Sequence, residues 1–126
     1  MLNLSGKNAL VTGIANNRSI AWGIAQQLHA AGANIGITYL PDEKGKMERK
    51  VEELVAPLNP SIYLPLNVQD DEQIDRTFAE VGQKWGRVDI LVHCLAFANK
   101  EDLAGDFSKT SRAGFAQAMD ISTYSL

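Results

Sequence analysis

The segment Thr12-Gly13-Ile14-Ala15-Asn16-Asn17-Arg18-Ser19-Ile20-Ala21-Trp22-Gly23 carries the residues best suited to chemistry in this chain of 126 residues. A short apolar run, Asn8 to Thr12, ends in glycine, and Ile20, Ile24 and Leu28 then recur at helical spacing. A strand that turns at a glycine into a helix aims backbone N–H groups and the positive helix end at one point. A glycine there also leaves an anion free to approach the backbone. The chemistry implied is phosphate binding, and in this strand-turn-helix setting the binding of a dinucleotide. The spacing is not G-x-G-x-x-G, because Gly13 is followed by Ser19 six positions later. Ser19 offers a hydroxyl at the helix start, where an N-cap role is equally expected and compatible with the first.

Other reactive side chains fit ordinary roles. Tyr39 and Lys46 have the Tyr-x6-Lys spacing of a catalytic pair, but they belong to a second strand and the loop after it, so the match is read as coincidence. His93 and Cys94 lie between Val92 and Leu95 at a strand end, a setting that buries such residues more often than it activates them. Tyr124 has no lysine after it and is expected to pack. Cys94 is the single cysteine, which excludes an intramolecular disulfide and points to a reducing compartment. His29 and His93 are far apart, so no metal site is expected.

The elements that must position the turn alternate. The first strand and helix are followed, after Gly32, by a second strand, Ile35 to Tyr39, closed by Pro41. Met47, Val51, Leu54 and Leu58 mark a charged second helix stopped before Pro60. Ile62 to Leu66 reads as a third strand suited to a sheet edge, because Pro65 cannot donate to a ladder. Asp70 and Gln73 resemble a capping box ahead of a third helix with Ile74, Phe78, Val81 and Trp85, ending at Gly86. Val88 to Cys94 is a fourth strand. A loop from Ala96 to Asp106 leads to a helical pattern with Phe115, Ala118, Met119 and Ser122. Such alternation implies an α/β fold, a Rossmann-like doubly wound parallel sheet, with strand order 3-2-1-4.

Composition sets the outer bounds. Hydrophobic residues at 45% and charged residues at 21% describe a globular domain rather than a disordered chain. Twelve Lys and Arg against fifteen Asp and Glu give a net charge of -3 with no basic cluster, which argues against nucleic acid as a partner. Ser19 to Pro41 has no charged residue, yet Gln26, Gln27, His29, Asn34 and its glycines interrupt it, so no membrane span is expected. Met1 to Lys7 lacks a basic region followed by an apolar one, and no targeting segment is expected.

The residues Leu4-Ser5-Gly6-Lys7, Leu10-Val11-Thr12-Gly13, Ser19-Ile20-Ala21-Trp22-Gly23-Ile24-Ala25, Val92-His93-Cys94-Leu95-Ala96-Phe97-Ala98 and Asp120-Ile121-Ser122-Thr123-Tyr124-Ser125 carry a wider likeness. The chain resembles the bacterial-type enoyl-acyl-carrier-protein reductases, divergent short-chain dehydrogenase/reductases, over essentially its whole length. The resemblance implies an enzyme of type II fatty-acid biosynthesis that reduces the trans-2 double bond of an enoyl thioester on acyl-carrier protein with hydride from a nicotinamide cofactor. NADH is the expected cofactor, with NADPH open.

By the same resemblance Gly13, Ser19 and Ile20 hold the pyrophosphate and adjoining ribose. Leu40 lies beside the adenosine ribose, where the family often has glutamine. Asn67 and Val68 lie beside the adenine, in place of the usual Asp-Val, and an asparagine oxygen still accepts from the adenine amino group. Leu95 lies beside the cofactor and Ala98 near the substrate. The family's catalytic tyrosine and lysine form a Tyr-x6-Lys arrangement after a further strand, so residues 1–126 are expected to form a dinucleotide-binding portion lacking the C-terminal catalytic half, inactive alone. The alternative is a non-catalytic nucleotide-binding half-fold, or a fragment that assembles with a partner chain. A cytoplasmic homo-oligomer, a tetramer in the family, is the expected assembly.

Overall fold

The computed structural model describes residues 2–126. They form two units, one ending at Cys94 and the other running Leu95–Leu126. In the first, strands β1 (Asn8–Thr12), β2 (Asn34–Tyr39), β3 (Ile62–Pro65) and β4 (Ile90–His93) alternate with helices α1 (Ile20–Ala30), α2 (Lys46–Val55) and α3 (Asp71–Trp85). The strands form one parallel sheet in the order β3-β2-β1-β4, as the alternation implies. Leu10 aligns with Gly36 of β2 and Leu91 of β4, and Val11 with Ile37 and Val92.

Strand position explains strand composition. β1 has a neighbour on each side and all five of its residues are buried, which is why its centre, Ala9, Leu10 and Val11, is apolar and its buried polar ends, Asn8 and Thr12, are hydrogen-bonded. On one sheet face Ala9, Val11, Ile35 and Ile37 pack with Ala21 and Ala25 of α1 and Val51 and Val55 of α2. On the other, Leu10 and Ile62 meet Val81 and Trp85 of α3. Gly36 belongs to this second contact, since a Cβ there would lie 2.6 Å from Cη2 of Trp85. Full burial of a Leu or Ile side chain contributes about 1.5–3 kcal/mol. Leu10, Ile35, Ile37 and Ile62, each no more than 2% exposed, are therefore the main supports of the sheet.

Four elements differ in detail from their sequence patterns. The second helix gives way at Val55 to a 3-10 turn, Ala56–Leu58, because Pro57 cannot continue an α-helical ladder, and Asn59 closes it at φ 47°. In α3 the buried positions are Thr77 and Val81, and Phe78 is 41% exposed. The Thr77 hydroxyl donates to the Pro65 carbonyl at 3.4 Å, so this polar residue takes a place the apolar stripe assigned to its neighbour. The fourth strand is shorter than its apolar run, and β3 stops at Pro65 on the sheet edge.

The amino end of the sheet is clamped by polar groups. The Asn8 amide donates to Asp89 Oδ2 at 2.9 Å, Asn8 Nδ2 to the Arg87 carbonyl, and Asn34 Nδ2 to Asn8 Oδ1. Lys7 and Arg87 flank the same carboxylate at 3.8 and 3.1 Å. The Asn8 amide first, then Arg87 and Lys7, hold Asp89 below the usual carboxylate range against an opposing desolvation.

The second unit holds 3-10 turns at Lys100–Leu103 and Phe107–Lys109, helix α4 (Arg112–Met119) and a π-helical turn, Asp120–Tyr124. The segment expected as a plain loop is thus partly helical. Asp102 ties it together, accepting from Asn99 Nδ2 at 3.3 Å and from the Ser111 amide at 3.4 Å, while Ser111 caps α4 through the Gly114 amide. Among the described residues no helix is long and apolar enough to cross a membrane.

Candidate functional site

In the sheet order β3-β2-β1-β4 the direction of strand progression reverses between β1 and β4, and open α/β sheets place ligands outside the carboxyl ends of strands at such a point. Gly13 follows the end of β1 there. Its φ of +90° is a backbone conformation that side-chain-bearing residues rarely adopt, and a Cβ at this position would fall on the Cys94 carbonyl. Glycine is therefore required here by the packing of the turn against the end of β4, before any ligand is considered. Thr12 tightens the same junction by donating its hydroxyl to the Val92 carbonyl at 2.8 Å.

Ser19 occupies the N-cap position of α1, with φ -61° and ψ 133°, but makes no capping bond into the helix. Its hydroxyl oxygen turns back and accepts from the amides of Ala15 at 3.0 Å and Asn16 at 3.1 Å. This corrects the expectation of a side-chain cap. The reason is local: Asn16 Oδ1 holds the Arg18 amide at 2.8 Å and the Asn16 carbonyl holds the Ser19 amide at 3.1 Å, closing a turn whose free amides lie nearest the Ser19 oxygen. Two consequences follow for an anion. Ser19 Oγ has used its acceptor capacity on two N–H groups, so its own O–H is the part left for a ligand. The Trp22 amide donates to the Ser19 carbonyl at 3.0 Å, while the amides of Ile20 and Ala21 have no side-chain cap, and no acidic residue stands in that turn. Ile20, the first helical residue, is 78% exposed.

The remaining positions follow the same edge of the sheet. Leu40 comes immediately after β2 and is 59% exposed. Asn67 and Val68 are half-buried between β3 and α3. Asn67 has a turn role: its Oδ1 accepts from the Gln69 amide at 3.1 Å and its own amide donates to Gln73 Oε1 at 2.9 Å. The parallel arrangement thus brings Gly13, Ser19, Ile20, Leu40, Asn67 and Val68 to the carboxyl edge of one sheet. Leu95 and Ala98, both half-buried, belong to the second unit. Sequence reasoning passed over Thr12 and Asn16. A threonine closing an apolar strand, and an asparagine two residues before the amide it accepts, were the available signals.

The other reactive groups take structural places. Tyr39 is buried and stacks on Tyr63, with ring centroids 4.7 Å apart at 29°. Burial first, then the hydrogen-bonded Glu48 carboxylate, pushes the Tyr39 phenol above its ordinary value, and burial with Tyr39 beside it does the same to Tyr63. Tyr63 donates its hydroxyl to the Glu48 carbonyl at 2.5 Å. Cys94 is half-buried and packs against the core. Among the described residues no group of three or more His, Cys, Asp or Glu is placed to hold a metal.

A parallel sheet of this order, with a glycine turn leading to an open helix end at its point of reversal, defines a Rossmann-like protein. The family model described as Enoyl-(Acyl carrier protein) reductase matches residues 13–126. The chain belongs to that family. It is 79% identical over all 126 residues to the NADH enoyl-acyl-carrier-protein reductase of Nostoc sp., covering 49% of that protein, and 64% identical over the same length to that of Synechocystis sp., again covering 49%. A relative from Staphylococcus aureus, 45% identical over 128 aligned positions with the whole chain and 49% of the relative covered, is named as an NADPH enzyme. The crystal structure of the Aquifex aeolicus NADH enzyme superposes with a TM-score of 0.91 at 43% identity, over 97% of this chain and 47% of that one. The Anaplasma phagocytophilum enzyme in complex with NAD gives 0.89 at 36% identity, over 99% and 48%. The chain spans about half the length of the curated relatives it matches.

Proposed function

We propose that this chain is the dinucleotide-binding portion, residues 1–126, of an enoyl-acyl-carrier-protein reductase of type II fatty-acid biosynthesis, with NADH as its cofactor. The single observation that carries the reading is the N-terminus of α1, where no side-chain cap and no acidic residue compete with an incoming anion. When bound, the nicotinamide cofactor supplies the hydride that reduces the trans-2 double bond of an enoyl thioester. The chain's own residues bind and orient. Gly13 keeps the turn close to the sheet, the amides of Ile20 and Ala21 and the O–H of Ser19 donate to the pyrophosphate, Leu40 borders the adenosine ribose, and Asn67 and Val68 border the adenine. By the family resemblance, Leu95 is assigned to the cofactor and Ala98 to the acyl group.

NADH is favoured over NADPH because no Lys or Arg occurs between Tyr39 and Glu43, where a 2′-phosphate needs a cation, while Asp42 and Glu43 repel one. The Nostoc and Synechocystis relatives, named as NADH enzymes, support the same choice. The Tyr39 and Lys46 pair supplies no catalysis, because Tyr39 is buried and stacked on Tyr63. Residues 1–126 therefore bind cofactor without turning over enoyl thioester, and the enzyme they belong to is a cytoplasmic homo-oligomer. The test is a fluorescence titration with NADH and NADPH in parallel, with crotonyl thioester present to detect oxidation. Saturable NADH binding, weaker NADPH binding and no oxidation are expected. Absence of NADH binding overturns the reading.

A further inference from the structure

From Asn8 to Pro41, the whole β1-α1-β2 segment, the chain carries one charged side chain, Arg18. It stands two residues before Ile20, the first residue of α1. Elsewhere the cations of this chain are mixed with acids. From Asp42 to Glu53, for example, Lys44, Lys46, Arg49 and Lys50 alternate with Asp42, Glu43, Glu48, Glu52 and Glu53, and Lys7 and Arg87 share Asp89. Arg18 is exposed and takes part in none of the ion pairs among the described residues. Its backbone is fixed, because its amide donates to Asn16 Oδ1 at 2.8 Å within the turn that Ser19 Oγ closes on Ala15 and Asn16. An exposed arginine thus stands in a hydrogen-bonded turn that leads into a helix with no acidic residue in its first turn.

We infer that Arg18 is a further cofactor-binding residue, its guanidinium pairing with the pyrophosphate held at the start of α1. The inference rests on the proposed dinucleotide function and adds to it a charged ligand that the Gly13 and Ser19-Ile20 pattern does not contain. A planar guanidinium suits this task, because it donates two parallel hydrogen bonds to phosphate oxygens where an ammonium acts as a point charge. The side chain is solvent-exposed in the free chain, so it pays no burial penalty before the anion arrives. It also restores positive charge locally to a chain whose net charge is -3.

The test compares the unsubstituted chain with Arg18→Gln and Arg18→Lys by fluorescence titration with NADH, and by calorimetry with ADP and adenosine as probes, at low and high salt. Circular dichroism confirms that each variant keeps its helices. Arg18→Gln is expected to weaken NADH and ADP about ten-fold at low salt, a loss that narrows as salt is added, and to leave adenosine unchanged. Arg18→Lys is expected to recover part of the loss. Equal NADH affinity in the unsubstituted chain and Arg18→Gln overturns the inference alone. An equal loss for adenosine also overturns it, since the effect would then come from the shape of the turn. Failure of the unsubstituted chain to bind NADH overturns the proposed function and this inference together.

Discussion

Two helices of the same unit begin in opposite ways after a parallel strand. α3 starts sealed: Asp70 Oδ1 accepts from the amides of Glu72 at 3.0 Å and Gln73 at 3.3 Å, Asp71 and Glu72 place negative charge in its first turn, and Gln73 Nε2 returns to Asp70 Oδ2. α1 starts open: Ser19 faces backwards, no acid follows, and the apolar Ile20 is left in solvent. A helix end that serves only stability satisfies its amides from within, as α3 does. The open end of α1 forgoes that stabilisation at the one place where the sheet order reverses. The difference marks where an anion supplies the missing acceptors.

The largest effect that would sharpen this contrast is at Gly13. Gly13→Ala is expected to destabilise the chain by about 3 kcal/mol or more, because a Cβ collides with the Cys94 carbonyl in a backbone conformation already unfavourable to L side chains. Urea denaturation measures it. The substitution damages the fold as well as the phosphate approach, so lost NADH binding in this variant says little about the ligand.

The helix starts themselves come next. Asp70→Ala is expected to cost about 1–2 kcal/mol of stability and to leave NADH affinity unchanged. Ser19→Ala is expected to cost about 1 kcal/mol and to weaken NADH about ten-fold, since it loosens the turn and removes a donor to the anion. Paired denaturation and binding curves for both variants separate the two roles. Equal effects on binding would erase the distinction between the ends.

How much of this was legible follows the same division. Strand order, the apolar centre of β1 and the glycine turn could be read in advance, because burial on both sheet faces and a strand-glycine-helix junction leave direct marks in the residues. The Asp70 start was also legible, although Gln73 Oε1 reaches Asn67 rather than returning to the Asp70 amide as the capping pattern implied. The direction of the Ser19 hydroxyl was not. A serine before a helix reads the same whether its hydroxyl oxygen accepts from amides ahead of it or behind it, and the choice is made by the free amides of a turn whose shape the residue types leave open. The Phe78 and Thr77 exchange escaped for a related reason, since the partner of Thr77 is the Pro65 carbonyl, a backbone group with no sequence signature.

A smaller, pH-dependent effect contrasts the clamped amino end of the sheet with its open carboxyl end. Asp89 is held below the ordinary carboxylate value in the folded chain, chiefly by the Asn8 amide. Its contribution to stability is therefore present above the unfolded value and is lost as pH falls through the lower folded one. Asp89→Asn is expected to be less stable than the unsubstituted chain at neutral pH and to converge with it in acid, with NADH affinity unaffected. Thermal melts across that range measure it. The smallest effect expected is at Leu40, where Leu40→Gln adds a donor and an acceptor beside the ribose and tightens NADH about three-fold in the same fluorescence titration.

The most direct measurement is an NMR titration of the isotopically labelled chain with NADH, following individual backbone amides. The account predicts that the amides of Ile20 and Ala21 shift strongly and saturably, with Gly13 and Leu40 moving less, while Glu72 and Gln73 at the sealed start of α3 stay in place. Binding that leaves Ile20 and Ala21 unmoved, or that moves both helix starts alike, would contradict it.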